Sequence, residues 1–170
     1  MKKTLLYLVF FIGGIYFGKT CSLKYFPNLV FYKNKKRHGT ENRFKYSELP
    51  TEYSLPFQNP DFIYASCYYD LKKGPLRIRG ELPWFTYWSL ALYEPDTNNF
   101  FIKNDRGFDN NEVDIVLSRN KIEGIKEENN IISPTNEGYI LFRILVTEKM
   151  PEKTGNYTAF QRSIKIETNK

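Results

Sequence analysis

From Phe57 onward turn-forming residues cut the chain into pieces of strand length, and this rhythm narrows the folds open to it more than any other feature. Residues 62–71, FIYASCYYDL, are rich in β-branched and aromatic side chains and read as one strand. Lys72-Lys73-Gly74-Pro75 then turns the chain. Leu76 and Ile78 alternate with Arg77 and Arg79 as a half-solvated strand, so the two pieces are expected to pair as a hairpin. In residues 86–94, TYWSLALYE, Trp88, Leu90 and Leu92 share one face and Tyr87, Ser89, Ala91 and Tyr93 the other, the pattern of a central strand. Pro95-Asp96-Thr97-Asn98-Asn99 supplies turn chemistry, and strands are expected near residues 100–103, 113–118, 131–133, 139–147 and 163–167. Only residues 153–160 suggest a short helix. The fold class that follows is all-β, an antiparallel β-sandwich or jelly-roll-like domain.

The first residues obey a different rule. Lys2 and Lys3 precede an uncharged run of 15 residues, Thr4 to Gly18, before Lys19. A helix of that length covers only about 22 Å of a hydrocarbon core of about 30 Å. Extending it to Leu23, with Lys19 reaching for the interface, makes one N-terminal transmembrane helix. A cleaved signal peptide and a lipoprotein with its lipid on Cys21 are the competing readings; the first lacks a clean small-x-small site and the second has Lys19 in the wrong place. The expectation is therefore a membrane anchor or signal segment at 1–23, a tether and lead-in segment at 24–56, and a β-sandwich domain at 57–170. A count of flanking cations favours a cytoplasmic body. An apolar run behind two lysines works as an export signal, however, which argues for a single-pass protein of the bacterial inner membrane with its globular domain in the periplasm. The basic run Lys33, Lys35, Lys36, Arg37, His38 reads as a solvated linker near the lipid surface.

At 170 residues one core is expected, and 41% apolar with 17% aromatic residues is enough to fill it. A single His and two Cys leave no material for a histidine-rich metal cluster, paired zinc knuckles or a disulfide scaffold, so no metal and no cofactor are expected. The net charge of +6 is spread along the chain instead of gathered on a recognition module, which argues against nucleic acid as a partner. Cys21 and Cys67 are expected as free thiols.

Asn59-Pro60-Asp61-Phe62-Ile63-Tyr64, Tyr69-Asp70-Leu71 with Gly74-Pro75, Tyr87-Trp88-Ser89-Leu90 and Asp96-Thr97-Asn98-Asn99-Phe100 form an ordered set that resembles domain of unknown function family 1254, over roughly residues 56–147. The resemblance implies a β-sandwich domain with no assigned chemistry. In longer relatives a second β-rich domain of the companion family 1214 follows. This sequence resembles the short, membrane-anchored alphaproteobacterial members, for which that second domain is expected on a separate partner protein.

The candidate site residues are Asp61, Tyr64, Asp70, Tyr87, Trp88, Tyr93 and Arg143. Asp61 and Asp70 lie nine residues apart on one strand, about 30 Å at 3.3 Å per residue, too far for a close acid–base pair. Each also fits a turn: Asn59-Pro60-Asp61 opens one, and Asp70 sits beside Gly-Pro. Tyr64, Tyr87, Trp88 and Tyr93 could line a groove for sugar rings or apolar ligands, or simply pack the core. Arg143 interrupts an apolar strand and calls for a carboxylate, with Asp61 or Asp70 as candidates. Ser133-Pro134-Thr135-Asn136-Glu137-Gly138 fits neither GxSxG nor a phosphate loop and reads as a strand connection. The leading expectation is a tethered domain that binds a partner protein or small ligand without chemistry of its own. The alternative is an envelope enzyme acting on a glycan or other anionic or aromatic substrate, with Asp61, Asp70 and Arg143 converging in a cleft between the sheets.

Overall fold

The computed structural model describes residues 2–48, 59–106, 112–147 and 151–168. It contains helices α1 (Lys2–His38) and α2 (Pro151–Ser163) and strands β1 (Lys45–Tyr46), β2 (Phe62–Asp70), β3 (Leu76–Glu81), β4 (Trp88–Tyr93), β5 (Asn99–Asn104), β6 (Glu112–Ser118), β7 (Asn130–Ile132), β8 (Glu137–Leu145) and β9 (Lys165–Thr168). The first sheet runs β1-β2-β8-β4-β5 and the second β7-β6-β3-β9. Every ladder is antiparallel except β6 with β7, a short parallel departure from the expected pattern.

Period-two alternation does the sorting. In β2, Ile63, Ala65, Cys67 and Tyr69 are buried while Phe62, Tyr64, Ser66 and Tyr68 are half-buried; β8 repeats this with Ile140, Phe142 and Ile144 inward. These side chains meet Leu76, Ile78, Val113, Ile115 and Leu117 of the second sheet in one core, so the two sheets pack face to face. Two glycines mark the tightest approaches. A Cβ on Gly138 would strike the Tyr69 hydroxyl and the Tyr93 carbonyl, and one on Gly80 would come within 2.6 Å of the Ile164 Cα. Helix α2 closes one flank: Gln161 Nε2 donates to the carbonyls of Ser47 and Tyr64, both at 2.7 Å, and Tyr46 donates to the Ile164 carbonyl at 2.7 Å.

The expected hairpin between residues 62–71 and 76–79 does not form. Strand β2 lies between β1 and β8 in the first sheet, whereas β3 lies between β6 and β9 in the second. Both edges of β2 are occupied, so the chain must leave. Asp70 caps its end by accepting the Lys72 N–H at 2.9 Å, and a three-residue turn (Leu71–Lys73) and Gly74 at φ 116° carry the backbone across to the other sheet. Strand β4, by contrast, is internal, between β8 and β5, as its two apolar faces require.

Helix α1 continues through much of the stretch expected as a tether, to His38. Its two halves, Leu6–Ser22 and Tyr25–His38, bend by 42°. Pro27 explains the position: it cannot donate to the carbonyl one turn earlier, and its ring crowds that carbonyl, so the bend falls just before it. Among the described residues no single helix is long and apolar enough to cross a membrane, although the bent pair passes that test together. The expected start of the β-domain at Phe57 lies outside the described residues.

Candidate functional site

The second half of α1 lies against the outer face of the first sheet. Phe31, Lys35 and His38 recur at i, i+4 and i+7 and therefore share one side of the helix. The Phe31 and His38 rings each meet Tyr68 edge-on with centroids 5.2 Å apart, and Tyr68 packs on Tyr139 at 4.8 Å. In the basic run Lys33, Lys36 and Arg37 are exposed, as the reading of a solvated segment expects, but the run is helical and its spacing turns Lys35 and His38 toward the sheet. Lys35 Nζ contacts Glu41 at 2.9 Å and Glu137 at 3.0 Å; Lys73 completes the pairing of Glu41 at 2.8 Å and Lys72 that of Glu137 at 3.0 Å. Lys73 and Lys35 together hold the Glu41 carboxyl down to about 2. Burial pulls the Lys35 ammonium downward, but its hydrogen bonds and charge contacts with Glu41 and Glu137 win and leave it above its ordinary value.

Between helix and sheet is a cavity of about 470 Å³, walled on the helix side by Phe26, Val30 and Phe31 and on the sheet side by Tyr68, Tyr139 and Leu141. Its size falls in the range of small-molecule sites, and its walls are mainly apolar, with the phenols, Asn34, Glu94 and Thr97 as the polar groups. Burial first and Tyr139 second push Tyr68 up to about 12, so these hydroxyls stay protonated donors at neutral pH. Glu94 and Thr97, from the β4–β5 turn, complete the cavity lining. The backbone there is irregular: the register shifts between Leu92 and Tyr93, and Thr97 adopts φ 76°, a left-handed conformation uncommon for a β-branched residue.

The expected site residues divide among different places. Tyr93 lines the cavity. Tyr64, Tyr87 and Arg143 gather farther along the same outer face, with Tyr64 directly opposite Arg143 in the β2–β8 ladder. Arg143 donates from Nε to Ser89 Oγ at 2.7 Å and from Nη2 to the Tyr87 hydroxyl at 3.4 Å, and its guanidinium lies 5.4 Å from the Phe62 ring centre and 5.9 Å from that of Tyr87. Hydroxyls and aromatic faces thus hold a group for which the sequence calls for a carboxylate; the outer face, unlike the core, leaves it partly solvated. Trp88 is core, 3% exposed. Asp70 caps its turn at the far end of β2, six residues from the Tyr64–Arg143 rung, while Asp61 sits exposed before the near end. Asp61, Asp70 and Arg143 therefore do not converge, and the space between the sheets is filled by core side chains, so the cleft required by the enzyme alternative is not built from them.

Sequence reasoning missed Phe31, Lys35, Tyr68, Glu137, Tyr139 and Leu141. The helical spacing of 31, 35 and 38 was the available signal; Tyr68, Tyr139 and Leu141 carried little, since large apolar and aromatic side chains occupy outward as well as inward positions of β2 and β8. Among the described residues no group of three or more His, Cys, Asp and Glu side chains is placed to hold a metal ion. Cys21 and Cys67 are free thiols, and burial pushes the Cys67 thiol up to about 12.

Two solved structures share this fold. The VPA0106 protein from Vibrio parahaemolyticus superposes with a TM-score of 0.66 at 14% identity, covering 84% of this chain and 34% of its own. An uncharacterized protein from Burkholderia cenocepacia gives 0.53 at 15% identity, covering 83% and 39%. The chain thus spans between a third and two fifths of the length of these relatives. No match was found among curated proteins. The family model for proteins of unknown function DUF1254 matches residues 42–168, which include β1 to β9, α2 and the Arg143 cluster, and the chain belongs to that family.

Proposed function

We propose that this protein is a membrane-anchored binding module, in which residues 4–23 span the bacterial inner membrane once and the β-sandwich stands in the periplasm, binding a partner protein or small ligand without chemistry of its own. The observation that carries this reading is the first half of α1. Leu6, Tyr7, Leu8, Val9, Phe10, Phe11, Ile12, Ile15, Tyr16 and Phe17 are each more than half exposed, so apolar side chains surround the helix. A helix apolar on all sides is stable only away from water, and lipid supplies that environment. The second half of the same helix packs on the sheet and is tied to it by Lys35, which joins anchor to body.

Membrane extraction and a topology reporter test this. The full chain should remain with membranes after alkaline carbonate washing, and alkaline phosphatase fused after Lys170 should be active. Phe10→Lys with Phe11→Lys should release the protein or abolish reporter activity. Recovery of the unaltered chain in the soluble fraction would remove the anchor, and an inactive phosphatase beside an active cytoplasmic reporter would reverse the orientation.

A further inference from the structure

We infer that the crevice between α1 and the first sheet takes an anionic single-chain amphiphile, its hydrocarbon chain lying between Phe26, Val30 and Leu141 and its carboxylate or phosphate head at Arg143. This deepens the binding reading by naming the ligand of its site.

Three features place the two ends of the ligand. Leu141, on the cavity wall, and Arg143 are two residues apart on β8 and share its outer face with Tyr139. Arg143 is two residues beyond Leu141, about 7 Å at 3.3 Å per residue, so the cationic group lies close beside the apolar chamber. Ser89, Tyr87 and the Phe62 ring hold the guanidinium in a fixed plane, and a planar oriented fork suits carboxylate or phosphate oxygens. Glu94, which lines the chamber just past the Tyr93–Tyr139 rung, at the other end of β4 from the Ser89–Arg143 rung, repels an anion, so the head is directed toward Arg143 and the tail toward the helix. Phe26 and Pro27, which line the cavity, adjoin the bend where the apolar half of α1 begins, giving the ligand an apolar path from the bilayer. The β-bulge at Leu92/Tyr93 and the left-handed Thr97 border the same chamber, as irregular backbone often borders a binding site.

The test uses the full chain in phosphatidylcholine nanodiscs and radiolabelled oleate, with empty discs as the blank. One oleate per chain should bind above the blank. Excess unlabelled oleate should displace it; lysophosphatidylglycerol that displaces it as well or better identifies a phospholipid source, lysophosphatidylglycerol that does not identifies a fatty acid, and either supports the site. Oleyl alcohol should compete about tenfold more weakly, the loss expected when a charged partner is removed. Inorganic phosphate should not compete. Arg143→Met should weaken oleate by a similar factor and Arg143→Lys should recover most of it. Leu141→Trp should block the chamber, and Val30→Trp does so from the helix side should the first variant fail to melt cooperatively. Oleate binding no greater than in empty discs, by protein that remains inserted, overturns the site while leaving the anchor standing. Equal competition by oleyl alcohol with no effect of Arg143→Met, or displacement by inorganic phosphate, overturns the assignment of head and tail.

Discussion

Replacing Lys35 by Met keeps the methylenes that pack under α1 and removes the charge that ties the helix to the sheet. The Lys35 side chain is 12% exposed, its partner Glu137 15% and Glu41 35%, so the cluster lies between a surface pair and a buried one. Exposed pairs contribute up to about 1 kcal/mol, and breaking a fully buried one costs about 3–5 kcal/mol. Lys72 and Lys73 still neutralise the two carboxylates in the variant, which rules out the upper figure. A loss of about 2 kcal/mol follows, equivalent to roughly a thirty-fold larger population of undocked helix. The loss is local, because Lys35 ties the helix to Glu41 and to Glu137 at the first residue of β8. Hydrogen exchange on the inserted protein reads it directly: amides within Tyr25–His38 should exchange roughly thirty-fold faster, with those of β2 and β8 unchanged. Acceleration spread evenly over helix and sheet would mean that the cluster supports global stability, and unchanged helix exchange would mean that Phe31 packing holds the helix without the ions. Either result refutes the latch.

Acid should act on the same cluster. The carboxyl of Glu41 is lowered from 4.5 to about 2, and that of Glu137 is also lowered, so their contribution is present above the unfolded carboxylate range and is lost as pH falls from about 4.5 toward 2. Thermal midpoints measured across that window should drop steeply and Glu41→Gln should flatten the drop; a variant curve parallel to the wild type would count against the assignment. Gly138→Ala should cost about 3 kcal/mol or more in chemical denaturation, because the new methyl meets the Tyr93 backbone, which cannot rotate away. Gly13→Ala, whose Cβ meets nothing within 4 Å on a helix, is the control and should be neutral or stabilising by about 1 kcal/mol. A Gly138→Ala protein as stable as wild type would show that β4 and β8 approach less closely.

How much was legible before the fold was known depends on the range over which each signal acts. Period-two alternation is local, and residues 86–94 revealed an internal strand because both faces were apolar. Turn chemistry is also local: Asp70 caps its turn as its position beside Gly74-Pro75 suggests. Pairing is not local. The run 62–79 looks like a hairpin, yet Tyr64 finds its partner in Arg143 and Arg77 finds its own in Val116, because register depends on which distant strand offers a complementary face.

The sequence by itself determined an apolar first stretch, a strand-built body, family membership and the shortage of histidine and cysteine for a zinc cluster, since composition, motif order and short-range periodicity are enough for these. The tertiary structure alone decided that the basic segment after that stretch docks as a helix, that Arg143 rests on hydroxyls and rings while Asp70 caps a turn far from it, and that a chamber opens beside Tyr68, Tyr139 and Leu141. Those outcomes depend on which of two apolar faces turns inward and on what covers the other, and that is settled only when elements far apart in the chain compete to bury the same surface.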